Sequence, residues 1–162
     1  MRKILLLLIS FLAPFSMSLA QEHRTVIISL DGCRWDYPEM YDTPFLDHLA
    51  KDGVKAIMQP SCPSVTFPNH YTLATGLVPD HHGIIANKFL DKKSGLVFSL
   101  GDKTTKMDPR FWGGEPVWIT AKRQGKRVGV VYWPGSDVAI QGTYPDIYYN
   151  YEQKPLLTYV ER

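Results

Sequence analysis

The sequence predicts an α/β fold in which a mainly parallel sheet is flanked by helices. Three observations carry that expectation. Residues 25–30 form an unbroken, β-branched apolar run, the pattern of a strand covered on both faces rather than of a half-exposed one. Strand-like and helix-like stretches then alternate along the chain with short links. A second β-rich run, residues 126–133, follows directly on an amphipathic stretch of helical period.

Residues 1–20 read as a leader ahead of the fold. Arg2 and Lys3 open it, an apolar stretch runs from Ile4 to Leu12, and Ser18-Leu19-Ala20 suits cleavage before Gln21. A membrane anchor needs about 20 apolar residues. Pro14, Ser16 and Ser18 interrupt this run too early for that. Export to a periplasm or the cell exterior is the expectation.

The first strand, 25–30, stops at Asp31-Gly32. Residues 43–53 read as a helix, with Thr43 as cap, Pro44 in the first turn, Gly53 as stop, and Phe45, Leu46 and Leu49 as the buried stripe. A short strand is expected over 54–58 and a rigid loop at Pro60-Ser61-Cys62-Pro63. Residues 67–75 read as a helix ending at Gly76. Residues 87–90 and 96–100 read as a hairpin closed by 91–95, which leaves Lys92 and Lys93 at a solvated tip. A helix over 115–124 stops at Gly125, ahead of the strand in 126–133. Residues 155–162 open an amphipathic helix of only about two turns, marginal unless packing continues. The chain therefore reads as the front part of a larger domain.

Composition excludes several classes. With 44% hydrophobic and 12% aromatic residues the chain has the apolar surface to fold, so it is not a disordered polymer. Lys plus Arg number 18 against 16 Asp plus Glu, which gives no electrostatic case for coating nucleic acid. Two cysteines are too few for a disulfide scaffold. In an exported protein Cys33 and Cys62 either pair or remain free; the sequence leaves both open.

Residues that can carry chemistry are few. Asp31 lies just beyond a strand, where open α/β sheets bind ligands, and a carboxylate there can hold a cation. Taken alone, Asp-Gly is more often an ordinary turn. Thr66 stands at the mouth of a helix, where a hydroxyl can be a metal-activated nucleophile or simply an N-cap. His81-His82 suggests metal, but adjacent side chains in a turn rarely share one ion, so a structural role is favoured. Tyr144, Tyr148, Tyr149, Tyr151 and Tyr159 make an aromatic tail that is either core or a stacking platform.

Taken together, SLDG, then PSVTFPNHYTLATGLVPDHHGIIAN, then GEPVWITAKRQGKRVGVVYWPGSDVAIQGTYPDIYYNY closely resemble the nucleotide pyrophosphatase/phosphodiesterase family of the alkaline phosphatase superfamily. The resemblance implies an alkaline-phosphatase-like core, incomplete in this chain, with residues 21–162 as the N-terminal part of a catalytic domain. It implies that Asp31 is a zinc ligand, that Thr66 is the nucleophile and touches that zinc, and that Asn87 binds a phosphate oxygen. Phe67 and Tyr151 match positions that sandwich a nucleobase, Leu100 and Trp133 match positions in or beside that pocket, and Asp137 would help to shape it. The implied cofactor is a pair of Zn2+ ions, whose other ligands come from later in the domain. The implied reaction is hydrolysis of a nucleotide pyrophosphate or phosphodiester through a phospho-threonine, releasing a nucleoside monophosphate. With neither metal site closed, this chain alone is expected to be inactive. Two alternatives stay open: a sister enzyme acting on lipid or other phosphate esters, and a secreted fragment that only binds.

Overall fold

A computed structural model describes residues 24–150, so the leader, Tyr151 and the helix expected over 155–162 lie outside the described residues. The core is built mainly of aromatic rings. Phe67, Tyr71, Phe98, Phe111, Trp112 and Trp118 are buried with Ala74, Ile84, Ile119, Val138 and Ile140. The rings meet largely edge to face, as their quadrupoles favour. Tyr71 and Trp112 lie 4.9 Å apart at 89°, and Phe98 and Phe111 lie 5.4 Å apart at 64°.

Helices α1 (Tyr37–Met40) and α2 (Pro44–Asp52) come first. Proline opens α2 as expected, and the Gly53 N–H caps it on the Leu49 carbonyl at 2.9 Å. The stripe expected to be buried is not: Phe45 and Leu49 are exposed, and no residue of α2 is buried.

Helix α3 (Thr66–Thr75) is the central element. Phe67, Tyr71 and Ala74 recur at the spacing that puts side chains on one face, and that face enters the core. Gly76 ends the helix in the left-handed conformation (φ +67°), which glycine adopts without steric cost. Helix α4 (Pro79–His82) follows at once.

Strands β1 (Lys88–Leu90) and β2 (Val97–Ser99) form the expected hairpin, with Phe89 opposite Phe98. Asp91 shapes its turn by accepting the N–H groups of Lys93 and Ser94. Helix α5 (Lys103–Lys106) is capped by Asp102, and a 3-10 turn at Pro109–Phe111 by Asp108. Helix α6 (Val117–Arg123) is shorter than expected, because Pro116 takes the N-cap position. Glu115, outside the helix, accepts from Thr120 Oγ1 at 2.7 Å and pairs with Arg123. Strand β3 (Gly129–Val131) pairs in parallel with β4 (Ile147–Tyr149), placing Val130 opposite Tyr148.

Two expected strands are absent. Residues 25–30 and 54–58 have no strand structure, and all but Ser29 are exposed. A doubly covered parallel strand needs a neighbour on its hydrogen-bonding edge and packing on its faces. Among the described residues these two segments have neither.

Candidate active site

Local sequence fixes the start of α3. Val65 is extended (φ −119°, ψ 162°) and takes the N-cap position, so Thr66 is the first helical residue. Its hydroxyl is therefore not used as a cap. Thr66 Oγ1 instead donates to Asp31 Oδ2 at 3.0 Å, across 35 residues of sequence. Asp31 reaches that point from an exposed turn in which Gly32 has φ +68°. The N-terminus of a helix attracts negative charge, which suits both a carboxylate and an anionic ligand.

The next residues of the helix extend the cluster. The Phe67 N–H donates to Asn87 Oδ1 at 3.2 Å, and the Asn87 carbonyl accepts the Leu100 N–H at 2.9 Å. Hydrogen bonds thus tie Asp31 to Thr66 and tie Phe67 and Leu100 to Asn87, and the Thr66-Phe67 peptide bond joins the two sets. The Phe67 ring is 8% exposed and lies edge-on to Phe98 and Trp112. Trp133 lies one turn further along α3: its indole N–H donates to the His70 carbonyl at 2.9 Å, and its ring meets the His70 ring edge-on at 5.6 Å. Asp137 is buried, with Oδ2 3.6 Å from Lys106 Nζ. Tyr151 is outside the described residues.

Other candidates fall away from this cluster. His82 is wholly buried in a structural setting: Nδ1 accepts the Ile84 N–H at 3.2 Å, so Nε2 carries the hydrogen and donates to Thr72 Oγ1 at 3.0 Å. Burial pushes its pKa below the ordinary 6.5. Cys33 and Cys62 are both exposed free thiols, so the paired alternative is not formed. Tyr144 and Tyr148 stack on each other at 5.3 Å while staying partly exposed, and Tyr149 lies in β4.

The oxygens of Asp31 and Thr66 suit a hard or borderline cation by donor type, since carboxylate and hydroxyl are oxygen ligands. Among the described residues no group of three or more His, Cys, Asp or Glu is placed to hold a metal ion.

Residues 25–158 match the family model described as type I phosphodiesterase/nucleotide pyrophosphatase. The chain belongs to this family. Among curated relatives, bovine ectonucleotide pyrophosphatase/phosphodiesterase family member 3 is 45% identical over 140 residues, covering 85% of this chain and 16% of the relative. Human family member 1 is 47% identical over 130 residues, covering 78% and 14%. A venom phosphodiesterase of Crotalus durissus collilineatus is 44% identical over 136 residues, covering 82% and 16%. The chain thus spans 14–16% of the length of these relatives.

Solved structures of the family agree on the fold. Human ectonucleotide pyrophosphatase/phosphodiesterase 5 superposes with a TM-score of 0.73 at 39% identity, covering 80% of this chain and 35% of that one. The murine counterpart, an inactive threonine-to-alanine variant in complex with AMP, gives 0.73 at 37% identity over the same shares. The α/β fold and the alkaline-phosphatase-like core, present here in part, are thereby established for this chain.

Sequence reasoning gave no role to Asn69, His70 or Lys106. The first two lie inside TFPNHY, and their presence in that run was the one available signal.

Proposed function

We propose that this chain is the part of a nucleotide pyrophosphatase/phosphodiesterase that carries the nucleophile, Thr66. The observation behind this reading is the hydrogen bond from Thr66 Oγ1 to Asp31, at a helix N-terminus beside Asn87. A threonine placed as a plain cap would turn its oxygen toward the backbone N–H groups of its own first turn. This one is turned toward a carboxylate from a distant loop.

In the proposed reaction Thr66 Oγ1 forms a bond to the phosphorus of a nucleotide pyrophosphate or phosphodiester, and the bond from phosphorus to the leaving oxygen breaks. Water then hydrolyses the phospho-threonine and releases a nucleoside monophosphate, which restores the hydroxyl. A Zn2+ pair, held here in part by Asp31 and Thr66, would supply the positive charge that makes an alkoxide and a hydroxide available at neutral pH. Asn87 already accepts the Phe67 N–H through Oδ1, so its NH2 end is the one left to donate to a phosphate oxygen. With the Phe67 ring nearly covered, the base would stack mainly on Tyr151, with Phe67, Leu100 and Trp133 as further pocket residues. Stacking of that kind contributes about 1–3 kcal/mol.

The names of the relatives support a nucleotide substrate and an exported enzyme: they are ectonucleotide and venom phosphodiesterases, and one solved structure holds AMP. With a leader at 1–20, the protein would act in a periplasm or outside the cell.

The test is hydrolysis of a chromogenic thymidine 5′-monophosphate ester by the chain carried to the full length of its relatives. Thr66→Ala and metal chelation should each abolish turnover, and the 162-residue chain alone should show none. Undiminished turnover after either treatment would remove Thr66, or the metal, from the reaction.

A further inference from the structure

The side chain of Asn69 uses its whole hydrogen-bonding capacity on the loop that leads into α3. An asparagine amide can donate two hydrogens and accept at two lone pairs. Asn69 Oδ1 accepts from the Ser61 N–H at 2.8 Å and from Ser61 Oγ at 3.0 Å. Its Nδ2 donates to the Pro63 carbonyl at 2.9 Å and to the Val65 carbonyl at 3.1 Å. One side chain on the first turn of the helix therefore ties down residues 61, 63 and 65, the approach to Thr66.

The neighbouring residue holds Thr66 itself. His70 Nδ1 lies 2.9 Å from the Thr66 carbonyl oxygen, and because a carbonyl only accepts, Nδ1 carries the hydrogen. The His70 carbonyl in turn accepts the Trp133 indole N–H, which anchors this turn of α3 to the chain leaving β3. Threonine is branched at Cβ, so once its backbone is held, few directions remain for Oγ1.

We propose that Asn69 and His70 are positioning residues which aim Thr66 Oγ1 at its target, Asn69 by clamping the approach loop and His70 by holding the Thr66 carbonyl. Neither touches substrate. This rests on Thr66 being the nucleophile. Misplacement of a reacting atom by about 1 Å costs on the order of 100-fold in rate, which is the scale at which such aiming matters.

The experiment measures kcat and KM of the full-length protein for the chromogenic ester, with thermal melting to confirm folding. Asn69→Asp keeps the shape but turns a carboxylate toward two carbonyls; kcat should fall about 100-fold with KM within about twofold, the signature of lost aiming rather than lost binding. His70→Phe keeps a ring without a donor and should lower kcat about 10-fold, while His70→Asn, whose amide NH2 sits where Nδ1 did, should recover to within about threefold of the wild type. Wild-type kcat in folded Asn69→Asp and His70→Phe, a loss confined to KM, or His70→Asn no better than His70→Phe would each overturn the inference. Should His70→Phe not fold, Asn69→Asp decides by the same kcat criterion. Thr66→Ala runs alongside: if it turns over substrate, the underlying reading fails; if it is dead while the other variants are normal, only the positioning role does.

Discussion

Residues 24–58 and 66–149 make opposite use of apolar side chains. In the second stretch Tyr71, Ile84, Phe98, Ile119, Val138 and Ile140 are wholly buried against one another. In the first, not one residue is buried; Val54 is 96% exposed and Val26 80%. Both stretches carry β-branched runs of strand length. Hydrophobic sequence alone does not make an element: α3 and the hairpin bury their faces against neighbours that the described chain supplies, Trp112 among them, whereas 25–30 and 54–58 have no such neighbours among the described residues.

The contrast is most severely tested by truncating each stretch in this chain and following urea unfolding. Trp112→Ala should cost about 3–5 kcal/mol, because its ring meets Phe67, Tyr71 and Phe98, whereas Val54→Ala should stay within about 0.5 kcal/mol. Comparable losses in the two variants would erase the distinction between the regions.

A smaller effect is expected at Gly135. A Cβ there would stand 2.8 Å from the Trp112 ring, and φ is +87°, so Gly135→Ala should cost about 1–3 kcal/mol by the same measurement. An unchanged midpoint would mean that the Trp112 packing yields easily.

Acid should weaken the packed region further, by an amount set by His82. Burial holds its folded pKa below 6.5, so the unfolded chain binds the proton more readily. This contribution to stability is complete above the unfolded value and is lost as pH falls below it toward the folded one. Unfolding midpoints between pH 7.5 and 5.5 should therefore drop, and the part of the drop due to this imidazole should vanish in His82→Gln. Identical pH slopes in both proteins would refute the assignment.

The mildest probe is chemical. Cys33 lies in the exposed stretch and Cys62 is an exposed thiol between the two, so both should alkylate in the native protein nearly as fast as in denaturant. Protection of either thiol would show cover at that position.

Much of the packed region was legible in the sequence. The spacing of Phe67, Tyr71 and Ala74 before Gly76 specified α3 to within one residue, and the polar stretch 91–95 between Phe89 and Phe98 specified the hairpin. Strand β4 was not legible as a strand, because Tyr148 and Tyr149 acquire that character only by pairing with Val130 and Val131, a contact distant in sequence. The run 25–30 failed for the converse reason: its composition has the strand pattern, but strand structure is a property of the pair. At the site, Asp31, Thr66 and Asn87 were named from their motifs, and the structure brings all three to the start of α3. Asn69 and His70 escaped because a hydrogen-bonding role has no periodicity to betray it.

The four tryptophans divide unevenly between the two stretches. Trp35 alone belongs to the first and is 54% exposed, while Trp112 and Trp118 are buried and Trp133 is half-buried with its indole N–H engaged. Fluorescence from this chain is thus a sum of a water-facing emitter and three sheltered ones, and a soluble quencher such as iodide will extinguish the former first. Each half of the molecule carries an optical reporter of its own, with no label attached.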